Sequence, residues 1–261
     1  MQIHWYGLGY LVAILFCWRY SVILLEKKTL WQKELPPFSP RLLDDFVLWA
    51  TVGVVVGGRL GNVLFWSPSY YFRHPFEIIA IWHGGMAFHG GFLGMIVAMC
   101  LFAYRHKLNV LNLFDLIAAG VPVGLFLVRL CNFINGELWG KPSSVAWAMI
   151  FPRAGPLPRH PSQLYEATTE GLLLFLLLTW LVFYCKSFKK PGLVSAVFLL
   201  GYSIARIGTE IFREPDAAPL WFSKFFNIYF FSYGMFLCIP MLIAGAFLFY
   251  YALRKKKDEQ T

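Results

Sequence analysis

A chain of 261 residues that is 58% hydrophobic, 19% aromatic and only 14% charged is not a soluble globular protein, in which about 25% of residues are charged. The formal net charge of +9 lies on the flanks of apolar runs, which assigns it to anionic lipid and excludes nucleic acid as the partner. The cysteines Cys17, Cys100, Cys131, Cys185 and Cys238 sit in or beside apolar segments without metal-ligand spacing. They read as buried hydrophobes and not as disulfides or ligands.

Taken in chain order, seven apolar runs reach the roughly 20 residues that cross a bilayer as a helix. They cover about 4–25, 42–66, 84–104, 112–131, 166–185, 192–212 and 228–253. Helices satisfy their own backbone groups in lipid. The fold is therefore read as an all-α membrane protein, a seven-transmembrane-helix bundle forming one integral membrane domain over residues 1–261. The first run lacks a basic lead and a small-residue exit, so no cleavable signal peptide is expected. No internal repeat or low-complexity tract is visible.

Alternate connections carry unequal positive charge. One side holds Lys27, Lys28, Lys33, Arg41, Arg105, Lys107, Lys186, Lys189, Lys190 and the tail Arg254, Lys255, Lys256 and Lys257. The other holds Arg73, Lys141, Arg153, Arg159, Arg213 and Lys224. The richer side belongs in the cytoplasm, so the N-terminus is read as out and the C-terminus as in. The proline-rich stretch of about 132–165 then forms a small periplasmic cap, too short for an independent domain. Trp66, Tyr70, Tyr71, Trp221 and Tyr229 read as an interfacial aromatic belt.

Buried arginines are costly in a bilayer and mark partners or ligands. Arg59, Arg129 and Arg206 all fall in the outer half, with Arg59 about 10 Å and Arg206 about 9 Å below the outer surface at 1.5 Å per residue. His89, His4 and Tyr6 share that half. Arg19 faces the other side and reads as a snorkelling residue. Arg206, Glu210 and Arg213 occupy one helix face, either as a plain intrahelical ion pair or as part of a site. Arg59, between Gly57-Gly58 and Gly61-Asn62, fits helix packing as well as it fits a site, with a helix end or Asp44/Asp45 as its structural partner. His83 is assigned to structure. His89, flanked by glycine pairs, can take a proton near neutral pH. Ser162 is expected to cap the fifth helix, with Tyr165 and Glu166 in its first turn. Arg159 and His160 stand open between cap and site wall.

Two arginines at one depth make a phosphate clamp, because a guanidinium presents a rigid fork of donors. A phosphate in the outer leaflet is a lipid headgroup. No Ser/His/Asp or metal-ligand constellation is visible, so neither an ordinary lipase nor a metal-dependent phosphatase is expected, and no cofactor is. A transporter for an anionic solute is the rival reading. It would place its polar groups near the midplane and often in duplicated halves, whereas these lie in the outer half.

The stretch Arg129-Leu130-Cys131-Asn132-Phe133-Ile134-Asn135-Gly136-Glu137-Leu138-Trp139-Gly140 closely resembles the signature of the bacterial prolipoprotein diacylglyceryl transferases. The likeness continues, in order, through His4-Trp5-Tyr6-Gly7-Leu8, Gly57-Gly58-Arg59, Gly85 to Gly91, Arg159 to Glu166, Gly201-Tyr202, Arg206, Glu210 and Arg213-Glu214-Pro215-Asp216. It departs at Val128 and Cys131, where glycine is usual, and at Met235, where glutamine is. The resemblance implies that phosphatidylglycerol donates its diacylglyceryl group to the lipobox cysteine in a prolipoprotein signal peptide. A thioether forms and glycerol phosphate leaves. It also implies a multi-pass enzyme of the bacterial inner (cytoplasmic) membrane, surrounded by membrane lipids. Arg129 and Arg206 correspond to phosphatidylglycerol-binding arginines and His89 to the proposed base. Tyr6, Asn132, Glu137, Gly140, Tyr202 and Glu210 correspond to positions at or beside the site.

Overall fold

The computed structural model describes residues 5–66, 68–80, 82, 85–215 and 232–258, excepting the side chains of 65, 66, 88, 89 and 255–258. His4, His83, Asp216, Trp221, Lys224 and Tyr229 lie outside the described residues, as do the side chains of Trp66, His89, Lys255, Lys256 and Lys257. The described chain is mainly helical: α1 Trp5–Glu26, α2 Pro40–Leu64, α3 Pro68–Arg73, α4 Phe88–Arg105, α5 Val110–Asn135, α6 Ser162–Phe183, α7 Leu193–Glu210 and α8 Tyr233–Asp258. Six of these, α1, α2, α5, α6, α7 and the Tyr233–Arg254 part of α8, are long and apolar enough to cross a membrane. The run expected at about 84–104 is α4, whose apolar part, Gly90–Arg105, is shorter. Both α5 and α8 continue through an internal proline, Pro122 and Pro240, which removes one backbone hydrogen bond from each helix.

The chain divides into two compact units, one of residues 1–35 and 115–261 and one of residues 36–114. In the smaller unit α2 packs on α4 through small residues. A Cβ added at Gly53 would sit 2.6 Å from the Ala98 Cβ, and one at Gly61 would sit 2.7 Å from the Gly90 Cα. Such surfaces let helix backbones approach closely. Arg59, at the end of α2, donates from Nε to the Ile78 carbonyl at 2.8 Å, from Nη1 to the Gly85 carbonyl at 3.2 Å and from Nη2 to the Glu77 carbonyl. Its guanidinium lies 5.0 Å over the Tyr71 ring. Arg59 therefore pins the loop between α3 and α4. Tyr71 is buried, which removes it from the expected aromatic belt, while Tyr70 is exposed.

In the larger unit α1, α5, α6, α7 and α8 surround a polar centre. The segment between α5 and α6 carries a two-stranded antiparallel ladder, β1 Met149–Ile150 and β2 Pro158–Arg159, pairing Met149 with Arg159 and Ile150 with Pro158. Ser162 does not cap α6. It is the first helical residue, and its hydroxyl donates to the Leu138 carbonyl at 3.2 Å. The prolines on its N-terminal side already fix the chain's approach, and Pro161 takes the capping position. All five cysteines are free. Cys131 and Cys238 are buried, but Cys100 and Cys185 are exposed, because an apolar side chain on a lipid-facing surface need not be covered by protein.

Asp115, fully buried on α5, anchors the start of α7. Oδ2 accepts from the Gly192 amide at 2.7 Å, and Oδ1 accepts from the Ser195 amide at 2.8 Å and the Ser195 hydroxyl at 2.6 Å. A carboxylate suits the unpaired amides and positive end of a helix N-terminus. Asp115→Ala orphans these buried donors at about 1–3 kcal/mol each. Thermal unfolding in detergent should fall clearly below wild type for Asp115→Ala and remain closer to it for Asp115→Asn. An unchanged melting curve for Asp115→Ala would show that the anchor carries no stability.

Candidate active site

The site is assembled from three helices. α6 opens with a short α-helical turn, Ser162–Glu166, and then widens into a π-helical segment, Ala167–Leu173. π-helical insertions recur at functional sites. This one carries Glu170 one turn beyond Glu166, so both carboxylates leave the same side of the helix. Gly171 permits the approach of α5: a Cβ there would stand 2.7–2.9 Å from the Cβ, Cα and N of Phe126. One turn further along α5, Arg129 reaches the two glutamates.

Glu166 is the hub. Arg129 Nε lies 2.7 Å and Arg206 Nη1 3.1 Å from Glu166 Oε2, while Arg213 Nη1 lies 3.2 Å from Oε1. Glu170 is bound more loosely, with Arg129 Nη2 at 3.5 Å and Arg206 Nη1 at 3.7 Å. The Thr209 hydroxyl donates to Glu170 Oε1 at 3.3 Å. Arg206 Nη2 meets Glu210 Oε2 at 2.9 Å. Both Glu166 and Glu170 are 0% exposed. Gly234 on α8 leaves room for this last pair, since a Cβ there would fall 2.9 Å from Glu210 Oε1. Tyr202, one turn before Arg206, is within electrostatic reach of Glu170, Arg206 and Arg129. Three guanidinium groups thus face three carboxylates, all but Arg213 taken from apolar helices.

A second polar node adjoins the first. Asn132 donates to the Tyr6 hydroxyl, and the Tyr6 hydroxyl donates to Glu137 Oε2. Arg129 Nη1 reaches Asn132 Oδ1 at 3.5 Å, which joins the two nodes. Glu137 Oε1 faces the exposed Arg153 at 3.4 Å, so the chain of polar contacts runs from the surface to Glu166. Gln163, buried on α6, donates to the Glu137 carbonyl at 2.6 Å. Gly140 closes the base of the intervening segment. Its amide donates to the His160 carbonyl at 3.0 Å, and a Cβ would meet that oxygen at 2.5 Å and the Phe212 carbonyl at 2.7 Å. Arg159 donates to the Gly140 carbonyl at 3.1 Å and pairs with Glu214 at 2.8 Å, so it ties the segment between α5 and α6 to the chain beyond α7.

Of the residues singled out in the sequence, Arg129, Arg206, Glu210, Tyr6, Asn132, Glu137 and Tyr202 come together in the larger unit. Gly140 is a packing position beside them. His89 lies in the first turn of α4, in the smaller unit. In the sequence Glu166 reads as a first-turn acid at the end of the Arg159-to-Glu166 family motif, and Glu170 and Gln163 are not singled out. Two acids four apart within an apolar run were the available signal, because intramembrane carboxylates require cationic partners.

A family model described as prolipoprotein diacylglyceryl transferase matches residues 1–251. The chain belongs to the prolipoprotein diacylglyceryl transferase family. It is 52% identical over 263 residues to the phosphatidylglycerol--prolipoprotein diacylglyceryl transferase of Bartonella tribocorum, covering 100% of this chain and 89% of that one. Proteins of the same name are 52% identical in Bartonella bacilliformis, over 97% and 90% of the two chains, and in Brucella ovis, over 97% and 89%. The diacylglyceryl transferase match runs through both compact units and includes every residue of the two polar nodes.

Glu166→Ala leaves three guanidinium groups without their common acceptor. Breaking a buried ion pair by removing one partner costs about 3–5 kcal/mol. Thermal unfolding of the purified protein should show a loss of that order. A loss below about 1 kcal/mol, the level of an exposed pair, would mean that Glu170 or water replaces the hub.

Proposed function

We propose that this protein transfers the diacylglyceryl group of phosphatidylglycerol to the lipobox cysteine of prolipoproteins, with Arg129 and Arg206 as the phosphate clamp. One observation carries the clamp. Two guanidinium groups from different helices converge on a single carboxylate oxygen, Glu166 Oε2, at 2.7 and 3.1 Å. Donors that converge on one carboxylate oxygen are placed to converge on one phosphate oxygen.

The chemistry assigns the remaining parts. The acceptor thiol, with an ordinary pKa of about 8.5, must lose its proton to become the nucleophile. His89 is the proposed base. The thiolate sulfur forms a bond to the glyceryl carbon, the bond from that carbon to the phosphate oxygen breaks, and glycerol phosphate leaves with the electron pair. Fixed guanidinium donors stabilise the charge that develops on the departing phosphate. Asn132, Tyr6 and Glu137 hold Arg129 from the cap side, and Glu210 holds Arg206. Tyr202 and Gly140 border the donor.

The chain is a single membrane domain of seven crossings, counting α4, in the bacterial inner membrane. Its N-terminus and the cap at about 132–165 face outward, and its C-terminus faces the cytoplasm. Lysine and arginine asymmetry supports this orientation. It presents the clamp to the outer leaflet, where signal peptides emerge.

Purified protein with phosphatidylglycerol and a lipobox peptide should form the thioether, and a zwitterionic phospholipid should not replace the donor. Arg129→Lys should stay far below wild type, because a point charge cannot reproduce a bidentate fork. His89→Gln should fold but lose roughly 100- to 10,000-fold in the transfer step, the usual worth of a general base. Near-normal turnover of Arg129→Lys at several donor concentrations would remove the clamp, and near-normal turnover of His89→Gln would remove the base.

A reporter fused after Thr261 should be cytoplasmic and one inserted near Ser143 should lie outside. The opposite pattern would invert the site.

A further inference from the structure

The three guanidinium groups of the centre are matched by three carboxylates. Phosphatidylglycerol brings one more negative charge. Adding an unmatched anion to a centre removed from water is strongly unfavourable, and such sites neutralise by taking up a proton. The contact distances identify the carboxylate that would take it. Glu166 has three guanidinium contacts at 2.7, 3.1 and 3.2 Å. Glu210 has one at 2.9 Å. Glu170 has only 3.5 and 3.7 Å, and it is 0% exposed.

Resting on the phosphate-clamp reading, we propose that Glu170 is a positioning residue that holds Arg129 and Arg206 while the site is empty and takes up one proton when the anionic headgroup binds. Among the described residues, the groups facing it come from its own helix and three others. Arg129 comes from α5, and Glu166 from its own helix. Arg206, Thr209 and Tyr202 come from α7. Cys238 of α8 lies within electrostatic reach. Beyond these, Arg213 is committed to Glu166 and Glu210 to Arg206. As the phosphate attracts the two guanidiniums, Glu170 loses its cationic contacts among the described residues and becomes the carboxylate with least reason to stay charged. Its protonated form can still receive the Thr209 hydroxyl on Oε1.

The sign follows from linkage. Binding favours the protonated carboxyl, so donor affinity is highest at low pH and falls as pH rises. One coupled proton changes the dissociation constant by about tenfold per pH unit. The test measures binding of a short-chain phosphatidylglycerol without acceptor peptide, so that neither the thiol nor His89 contributes. Wild type should weaken with this slope between about pH 6 and pH 8. Glu170→Gln should be flat and bind more tightly than wild type at the alkaline end, because it starts with one unmatched guanidinium. Glu170→Asp should restore the slope. Calorimetry in two buffers of different ionisation enthalpy should give about one proton taken up per lipid by wild type. A slope retained in Glu170→Gln, or no proton uptake by wild type, overturns the proposal. The clamp itself is read separately: if Arg129→Lys and Arg206→Ala bind the lipid as wild type does at all pH values, the clamp has failed and not merely the role of Glu170.

Discussion

Three helices of the larger unit are tied together by one carboxylate. Glu166 pairs with Arg129 on α5, Arg206 on α7 and Arg213 just beyond α7. No single one of these charges is tolerable in an apolar helix alone. Their mutual satisfaction therefore dictates how α5, α6 and α7 meet, and the packing around them follows. The opposite end of α7 obeys the same logic with a different partner, since Asp115 supplies a carboxylate to amides that lipid could never satisfy. α7 is thus fixed at both ends by acidic residues on other helices.

Under the proposed function, that arrangement would let a site for an anion exist before the anion arrives. Guanidinium groups left unmatched in a low-dielectric centre would repel one another and cost several kcal/mol of desolvation each. Glu166, Glu170 and Glu210 remove that cost and hold the forks in position. The proposed reaction then needs the phosphate to compete with carboxylates, not with water. Preorganised donors of this kind need no reorientation as charge develops, which suits a leaving group that gains charge as its bond to carbon breaks.

Glycine has a steric role at the places that matter here. Gly171 lets α6 approach Phe126 so that Arg129 comes within reach of Glu166, Gly234 clears space for Glu210, and Gly140 allows the close approach of His160 and Phe212. Each would place a Cβ within about 3 Å of another group. Substitution there acts on the site without touching a charged residue. The segment after α5 contributes through the second node as well: Tyr6 of α1 and Glu137 brace Asn132, which braces Arg129.

Apolar run length and composition determined that this is a helical membrane protein, because lipid leaves the backbone few other ways to satisfy its polar groups. The order of short motifs determined the family, and the cost of a buried guanidinium pointed to Arg129 and Arg206. Only the tertiary structure decided who partners them. Glu166 resembled an ordinary first-turn acid, and Glu170 stood out only by its spacing from it. Ion pairing joins residues of different helices, and single-chain periodicity carries no record of which faces meet. The fate of Arg59 was decided in the same way. Its neighbours in sequence fitted packing or a site equally, and the carbonyls of Glu77, Ile78 and Gly85 made it a loop anchor. Tyr71 was drawn beneath that guanidinium, out of the belt to which its position beside Tyr70 had assigned it. Composition sets which solvent a chain must satisfy, whereas the pairing of its rare charges depends on distances that exist only after the helices have packed.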